Sequence, residues 1–208
     1  MNHPNLVAWY KGNGNALDSS GNDNHGTWVG TPAYEAGVFG RGLSFAANGH
    51  VKLPSSVGGL EAFTFTAWVN LESYQNNAGV AGFGPDADRG LWIFTVELNS
   101  RLLVQVETDD ARVLLTMLSG TAGPTGWVHI TIRYDGSFVR SYVDGQFVAE
   151  VAQTGTIIAT GTDNFVGRLS AAHPLLDGTI DDARIYNAAL SPSDIKRVMH
   201  GFQPLGRY

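Results

Sequence analysis

The stretch WVHITIRYDGSFVRSYVDGQFVAEV, residues 127–151, decides the fold. Apolar and polar residues alternate along it, as they do in strands with one buried face. Two Asp-Gly pairs, Asp135-Gly136 and Asp144-Gly145, divide it into three segments. Asp-Gly supplies the positive φ angles that two-residue hairpins need. The stretch therefore predicts three consecutive antiparallel strands.

The same alternation recurs through most of the chain. Residues 63–70 place Phe63, Phe65, Ala67 and Val69 on one side of a predicted strand. Further strands are predicted at residues 6–10, 43–46, 50–53, 78–83, 91–97, 102–107, 112–118, 163–166 and 178–186. Many short strands separated by turns are typical of a two-sheet sandwich.

One helix is predicted near the C-terminus, in SPSDIKRVMHGF, residues 191–202. Ser191 is the N-cap, Pro192 takes the first helical position, Asp194 closes a capping box, and Gly201 lies beyond the end. We find no linker or internal repeat in the sequence. The prediction is one all-β domain over residues 1–208, a two-sheet antiparallel β-sandwich with a short C-terminal helix.

Composition narrows the functional classes. The formal net charge is −6 and the 13 Lys and Arg residues do not cluster, which argues against nucleic acid because phosphate recognition needs a basic face. No apolar run approaches the roughly 20 residues needed to cross a bilayer, so we expect no membrane insertion. Cysteine is absent, which excludes disulfides and thiolate chemistry within this sequence. No secretion signal is visible at the start of the sequence.

Five sequence blocks occur in the order found in concanavalin A-like lectin/glucanase domains. They are LVAWYKGNGNALDSSGNDNHGTWVG (6–30), GVFGRGLSFAANGHVKLP (37–54), FTFTAWVN (63–70), GWVHITIRYDGSFVRSYVDGQFVAEV (126–151) and GTIDDARIYNAALSPSDIKRV (178–198). The chain most resembles the laminin-G-like branch, which includes pentraxin-type domains, from Leu6 to Met199. The resemblance implies a jelly-roll sandwich. It leaves the ligand open, because the fold hosts lectins, carbohydrate-binding modules, adhesion domains and hydrolases.

An oxygen-rich turn occupies ALDSSGNDNHGTWVG, residues 16–30. Three interpretations compete: a surface turn, the edge of a ligand site, or a cradle for a hard metal ion. Calcium takes six to eight oxygens from carboxylates, amides and backbone carbonyls, and Asp18, Asn22, Asp23 and Asn24 offer such atoms. Short polar side chains that bond their own backbone are equally ordinary in turns.

The resemblance implies that this loop meets the strand containing IDDARIY, with a structural calcium ion between them. Asp181 and Asp182 are adjacent, so in a regular strand they point to opposite faces and only one is a direct ligand. We favour Asp181 as the ligand and expect Asp182 to pair with Arg184. The predicted metal residues are Asp18, Asn22, Asn24, Asp181 and Asp182.

We do not expect catalysis. Glycosidases of this fold class place two glutamates on one strand, in a pattern resembling Glu-x-Asp-x-x-Glu, so that both reach the same face. Glu107 and Asp109 fit the first two places, but Ala111 and Arg112 stand where the second glutamate is needed. The sequence also lacks a nucleophile elbow, a phosphate loop and a His-Glu-x-x-His motif.

Tryptophan and tyrosine are the residues on which sugars stack, while polar side chains hold the hydroxyls. Trp9, Trp68 and Trp127 lie in strand motifs, and we interpret them as structural. Two polar loops near Trp92 suggest a glycan site made of Tyr74, Asn76, Asp86, Asp88, Arg89 and Trp92. In the alternative interpretation, Trp92 is ordinary strand packing and both loops are solvated turns.

These patterns favour a non-catalytic carbohydrate-binding, lectin-like module with structural calcium. The resemblance implies an extracellular, cell-surface or virion-associated location, as an accessory part of a larger protein. The alternative from a different class is a structural or adhesion domain that contacts protein partners and binds no sugar. A divergent glycoside hydrolase is the third possibility, and it needs a second carboxylate that the spacing does not supply.

Overall fold

The computed structural model describes residues 3–45, 49–58, 60–86, 89–96, 100–118, 126–157 and 164–205. In chain order its strands are β1 Leu6–Tyr10, β2 Thr27–Gly30, β3 Tyr34–Ala36, β4 Arg41–Ser44, β5 Gly49–Leu53, β6 Phe63–Leu71, β7 Gly79–Asp86, β8 Arg89–Val96, β9 Arg101–Glu107, β10 Arg112–Leu118, β11 Val128–Tyr134, β12 Phe138–Val143, β13 Gln146–Ala152, β14 Asn164–Val166 and β15 Gly178–Tyr186. A short 3-10 turn spans Ser55–Val57, and helix α1 spans Pro192–Met199.

The strands form two antiparallel sheets. Sheet A has the order β13-β12-β11-β6-β15-β4-β3, and β1 also pairs with β15. Sheet B has the order β10-β9-β8-β7-β14-β5-β2. The two sheets pack face to face, which confirms the predicted jelly-roll sandwich with a short C-terminal helix.

The three central strands predicted from residues 127–151 are β11, β12 and β13. Val143 pairs with Gln146, so Asp144 and Gly145 form a two-residue hairpin, with φ angles of 48° and 70°. The Asp135-Gly136 turn differs from the prediction, because Tyr134 pairs with Val139 and leaves four residues in the loop. Asp135 Oδ1 accepts hydrogen bonds from the amides of Ser137 and Phe138, so the aspartate side chain builds this longer turn.

The main core lies between the sheets. It is built from the inward residues of each strand. Phe65 of β6 contacts Phe83 of β7 across the sandwich, with ring centroids 5.8 Å apart. The residues that the alternation placed on one side of β6 are therefore the ones that β6 contributes to the core. Burying this layer is the main favourable contribution to folding, at roughly 25 cal/mol per Å² of apolar surface.

Helix α1 covers the outer face of sheet A. Its Ile195 and Val198 pack on Tyr142 and Tyr186 of the sheet. Ser191 caps the helix by accepting the Asp194 amide hydrogen, as predicted. The carboxylate of Asp194 accepts from the Ser191 hydroxyl and from the Leu205 amide, which ties the tail to the helix. Within the described residues, no helix is long and apolar enough to cross a membrane.

A polar residue, His129, is buried in this outer layer of sheet A. Its Nε2 lies 2.7 Å from the Thr66 hydroxyl, and its ring packs edge-on against Trp68. Burial lowers the pKa of His129 to about 3, and the charges of Arg184 and His200 act in the same direction. The imidazole is therefore neutral at pH 7.

His129 should make the protein sensitive to acid. The unfolded chain binds a proton near pH 6.5 and the folded chain only near 3, so stability is fully present above 6.5 and falls as the pH drops toward 3. In that window, we expect His129 to lower the free energy of unfolding of the parent by at most about 1.4 kcal/mol for each pH unit of acidification. The His129→Gln variant should lack this contribution. Urea titrations from pH 7 to 4 measure this slope.

The matched control is His25→Gln, since the His25 side chain is 48% exposed. This control variant should keep the parent slope. Equal slopes for the parent and His129→Gln would contradict the assignment.

Candidate functional site

The turn at residues 16–26 is organised around the buried carboxylate of Asp18. Its Oδ1 accepts the amide hydrogens of Trp9 and Ser20, both at 2.8 Å. Its Oδ2 accepts the Ser20 hydroxyl at 2.6 Å and the Asn24 amide at 3.1 Å. Both oxygens are therefore occupied by hydrogen-bond donors of the protein.

The amides of the same turn tie it to β1. Asn22 Nδ2 donates to the carbonyls of Leu6 and Val7, and Asn24 Nδ2 donates to Val7. Asn24 Oδ1 accepts the Ser56 hydroxyl. These contacts match the turn chemistry weighed from the sequence and hold the turn against the first strand.

The predicted calcium residues do not come together in one site. Asp18 belongs to the turn, whereas Asp181 and Asp182 lie on β15, and no group of three or more acidic or histidine residues suited to a metal occurs in the described part of the chain. Calcium needs six to eight oxygens, and the carboxylate of Asp18 is already saturated by donors. As arranged, the carboxylate of Asp18 has no oxygen left for calcium, and the structural calcium drawn from residue type and resemblance stays a prediction.

Replacing Asp18 should therefore destabilise the fold whether or not calcium is present. Asp18→Ala leaves several inward-facing donors without an acceptor, and we expect a loss of about 2–4 kcal/mol in the free energy of unfolding. Urea denaturation of the parent and variant, with calcium and with a chelator, measures this loss.

Asp23→Asn is the control, because the Asp23 side chain is 93% exposed in the same turn. It should behave like the parent. A melting temperature that rises with calcium in the parent but not in Asp18→Ala would instead assign Asp18 to a metal site.

The residues predicted for a glycan site are spread over different surroundings. Tyr74 packs against the main core, and burial raises its pKa to about 12. Its hydroxyl has no hydrogen-bond partner among the described residues. Asn76 is exposed. Asp86 and Arg89 pair at the end of the β7–β8 hairpin, but their side chains lie outside the described part of the structure, as does Asp88.

Trp92 is covered by protein. It lies on the outer face of sheet B and is 6% exposed, in a cluster with Phe94, Leu103 and Leu169. His173 packs edge-on against its ring. The packing matches the alternative in which Trp92 is structural. The predicted glycan set stays a prediction, and the structure gives it no common open surface among its described members.

Leu169 and His173 belong to residues 167–177, which we call the cover loop. This loop lies directly on β7 because Gly79 and Gly82 have no side chains. A Cβ on either glycine would lie 2.2 Å from the backbone of Leu169. The two glycines thus allow a close backbone approach, and Leu169 fills the space beside Trp92.

Removing the Leu169 side chain should open this cluster. We expect Leu169→Ala to cost about 2–5 kcal/mol of stability and to increase quenching of tryptophan fluorescence by acrylamide. Leu114→Ala is the matched control, since Leu114 is 56% exposed on β10. It should change stability by less than about 0.5 kcal/mol. Equal, small effects of both variants would contradict a packed cover loop.

The polar cavity of the described structure lies on sheet A, beside the C-terminal end of α1. We call it the outer pocket. It has a volume of about 270 Å³ and is lined by Trp9, Lys11, Asn13, Phe39, Asp181, Asp182, Arg184 and Gly201. Its residues come from β1 and the segment after it, the β3–β4 turn, β15 and the residues after α1.

A bulge in β15 brings both aspartates to this pocket. The pairing of β15 with β6 shifts register between Asp181 and Arg184, and Asp182 has a φ of 53°. The expectation that the two aspartates point to opposite faces is therefore wrong, since it assumed a regular strand. A left-handed backbone at a residue other than glycine carries strain, which the contacts of the Asp182 side chain offset.

Asp182 is fully engaged at the floor of the pocket. Its Oδ1 accepts from Trp9 Nε1 at 2.5 Å and from the Arg184 guanidinium, and its Oδ2 lies 2.9 Å from Arg184 Nη2. The predicted pairing of Asp182 with Arg184 is confirmed. Because Arg184 is completely buried and also donates to the Phe202 carbonyl, this ion pair fixes the tail behind α1 to the sheet.

One oxygen of the Asp181 carboxylate has a hydrogen-bond partner among the described residues. Oδ2 accepts the Phe39 amide at 2.7 Å, whereas the buried Oδ1 has no partner in that part of the chain. Burial raises the pKa of Asp181, because the charged form has lost water that its neighbours only partly replace. An unpaired buried acceptor costs free energy, so Oδ1 is suited to accept a donor from a bound molecule.

Reasoning from the sequence did not assemble this pocket. It assigned Asp181 to calcium and Trp9 to structure, and it did not consider Phe39 or Asn13. One signal was present: Trp9 at the end of the first strand and Lys11 just after it are two positions apart, so they lie on the same side of an extended chain. Using it requires knowing that β1 pairs with β15, which a sequence pattern alone does not give.

Comparisons with known proteins agree with this architecture. A laminin G family model, described as concanavalin A-like lectin/glucanases superfamily, matches residues 45–196. Pappalysin-1 of Homo sapiens is 29% identical over 130 residues, covering 56% of this chain and 7% of that protein. Pappalysin-1 of Mus musculus is 28% identical over 128 residues, covering 55% and 8%. The chain thus spans less than a tenth of the curated relatives it matches.

Several solved structures share the fold. Domain 4 of AbnA, a GH43 extracellular arabinanase from Geobacillus stearothermophilus, in complex with arabinotriose, has a TM-score of 0.73 at 23% identity and covers 92% of this chain and 96% of that one. A structure of botulinum neurotoxin type C, whose cell entry depends on two ganglioside molecules, has a TM-score of 0.72 at 14% identity, covering 96% and 51%. At these identities the likeness establishes the fold alone. The chain belongs to the concanavalin A-like lectin/glucanases superfamily.

Proposed function

We propose that this chain is a non-catalytic carbohydrate-binding module. Its family is lectin-like, and the domain of the arabinanase that shares its fold over 96% of that domain's length was solved with arabinotriose. A botulinum neurotoxin binding domain with the same fold was solved with a sialylated ligand. These likenesses support glycan recognition as the class of function. The identity of the ligand has to be inferred from the surface of this chain itself.

The outer pocket is the observation that carries the proposal. Sugar sites combine an aromatic ring with a few fixed polar groups. The outer pocket offers the exposed ring of Phe39 at its rim, the amide of Asn13, and the carboxylate of Asp181 at its floor. Trp92, the ring favoured from the sequence, is covered and offers no such surface.

The arrangement of carboxylates supports binding rather than hydrolysis. Glycosidases need two carboxyl groups on opposite sides of the scissile bond. In the outer pocket the aspartates are neighbours in sequence, and Asp182 is ion-paired with Arg184. Glu107, the nearest match to the catalytic strand pattern, pairs with Arg112.

The proposed setting is an accessory domain of a larger extracellular, cell-surface or virion-associated protein. The similar arabinanase domain is part of an extracellular enzyme, and pappalysin-1 resembles this chain over a small part of its length. Calcium as a structural cofactor remains a proposal from the family resemblance, and the saturated hydrogen bonding of Asp18 does not support that position for the ion.

A specific observation favours a second candidate, a domain that contacts proteins. Leu114 of β10 and Phe147 and Val148 of β13 are exposed apolar side chains on the last strands of the two sheets, which lie close together. Exposed apolar patches mark protein contacts when they are contiguous. The botulinum neurotoxin DC binding domain, which shares the fold, was solved with rat synaptotagmin II.

A glycan array separates the two candidates. We expect the folded protein to bind a defined group of glycans in the presence of calcium, and equal binding after chelation would show that the site does not need calcium. Loss of binding on chelation would instead show that calcium supports the site. The control is a sample whose melting curve confirms folding in both buffers.

An array on which the folded protein binds nothing would overturn the carbohydrate-binding proposal. A pull-down that depends on Leu114 and Phe147 would then support the protein-contact domain.

A further inference from the structure

We propose that the outer pocket binds a single uncharged sugar unit, with its hydroxyl groups donating to Asp181 Oδ1 and its ring resting on Phe39. This inference rests on the proposed function and adds the position of the site and the class of ligand.

Asp181 is held in place for this role. The Phe39 amide fixes Oδ2, and the carboxylate sits against Gly37 and Gly42, where a Cβ would come within 3.3 Å of Asp181 atoms. The residue is 1% exposed, and Oδ1 has no partner among the described residues. A fixed, buried acceptor with an unmet hydrogen bond selects a donor, and a sugar hydroxyl is a neutral donor of suitable size.

The cations of the pocket are already engaged. Arg184 is paired with Asp182 and bound to the Phe202 carbonyl. Lys11 Nζ lies 4.1 Å from the centroid of the Trp9 ring, and the Arg184 guanidinium lies 4.3 Å from it. An acidic sugar would therefore bring its carboxylate beside Asp181 and Asp182, and both cations among the described lining residues already have partners.

Phe39 is the ring open to a ligand. Trp9 already has two cations against its ring and donates its indole hydrogen to Asp182. The Phe39 side chain is 39% exposed at the rim, and Gly201 stands beside it without a side chain. A Cβ at Gly201 would lie 3.3 Å from the ring, so glycine leaves the space around Phe39 clear.

The size of the pocket indicates one sugar unit. Its volume of about 270 Å³ is below the range of roughly 300–1,000 Å³ typical of drug-sized ligand sites. The pocket is bounded by β1, the β3–β4 turn and the tail after α1, so a longer chain has to leave it toward solvent. Terminal sugar units fit this geometry better than internal ones.

The experiment measures the affinity of the full chain for glycans found on the array, by titration calorimetry. Phe39→Ala removes the stacking ring, and we expect about 10-fold weaker binding. Asp181→Asn keeps the shape but replaces the charged acceptor, and we expect about 10- to 100-fold weaker binding. Neutral terminal sugars should bind at least about 10-fold more tightly than sialylated or uronate-ended glycans of the same length.

Phe147→Ala is the matched control, because it truncates a 54% exposed phenylalanine on β13, at the far edge of sheet A. It should bind glycans like the parent. Phe39→Ala keeps the test decisive if Asp181→Asn does not fold, since Phe39 is at the surface and its backbone contact with Asp181 is retained.

The outcomes distinguish the two proposals. Glycan binding that is unchanged in Phe39→Ala and in folded Asp181→Asn overturns the pocket assignment and leaves the proposed function standing. A preference for acidic sugars also overturns it. No binding of any glycan by the parent overturns the proposed function and this inference together.

Discussion

The bulge in β15 is the constraint on which the functional face of the molecule depends. β15 is buried along its whole length and pairs with β6, β4 and β1, so it connects the middle of sheet A to its edge. The extra residue at Asp182 turns two charged side chains toward one face. The ion pair with Arg184 and the bond from Trp9 compensate for the strained backbone. The pocket is the space that this local irregularity leaves between β1 and the β3–β4 turn.

Much of the fold follows from local patterns in the chain. The alternation in β6 and β11–β13 reflects burial on one side of a sheet, and the signals at Ser191 and Pro192 mark the start of α1. The short edge strands β2 and β3 were not predicted, because they are mostly exposed and lack a buried alternating side. The cover loop also escaped prediction, since its position depends on close backbone contact with two glycines of another strand.

The candidate site was less accessible to prediction than the fold. Asp181 and Asp182 attracted attention because of their charge, but their common orientation arises from a bulge that no local pattern announces. The covering of Trp92 likewise depends on Leu169, which is 77 positions away in the sequence and reaches it through the fold. The type of residue at Asp18 was equally ambiguous, because residues that suit calcium also suit a hydrogen-bonded turn. Only the positions of the hydrogen-bond donors around Asp18 separate the two roles.

The pairing of β1 with β15 has a consequence for how such a domain fits into a host polypeptide. Leu6 stands opposite Tyr186, and the Asn187 amide donates to the Asn5 carbonyl, so the strand that opens the sandwich and the one that completes it meet at the same corner. Helix α1 follows β15 and packs on Leu6 and Tyr186 at this corner. A domain boundary drawn after Leu6 would therefore remove a partner of both β15 and α1, so β1 has to stay with the sandwich when it is joined to a host polypeptide.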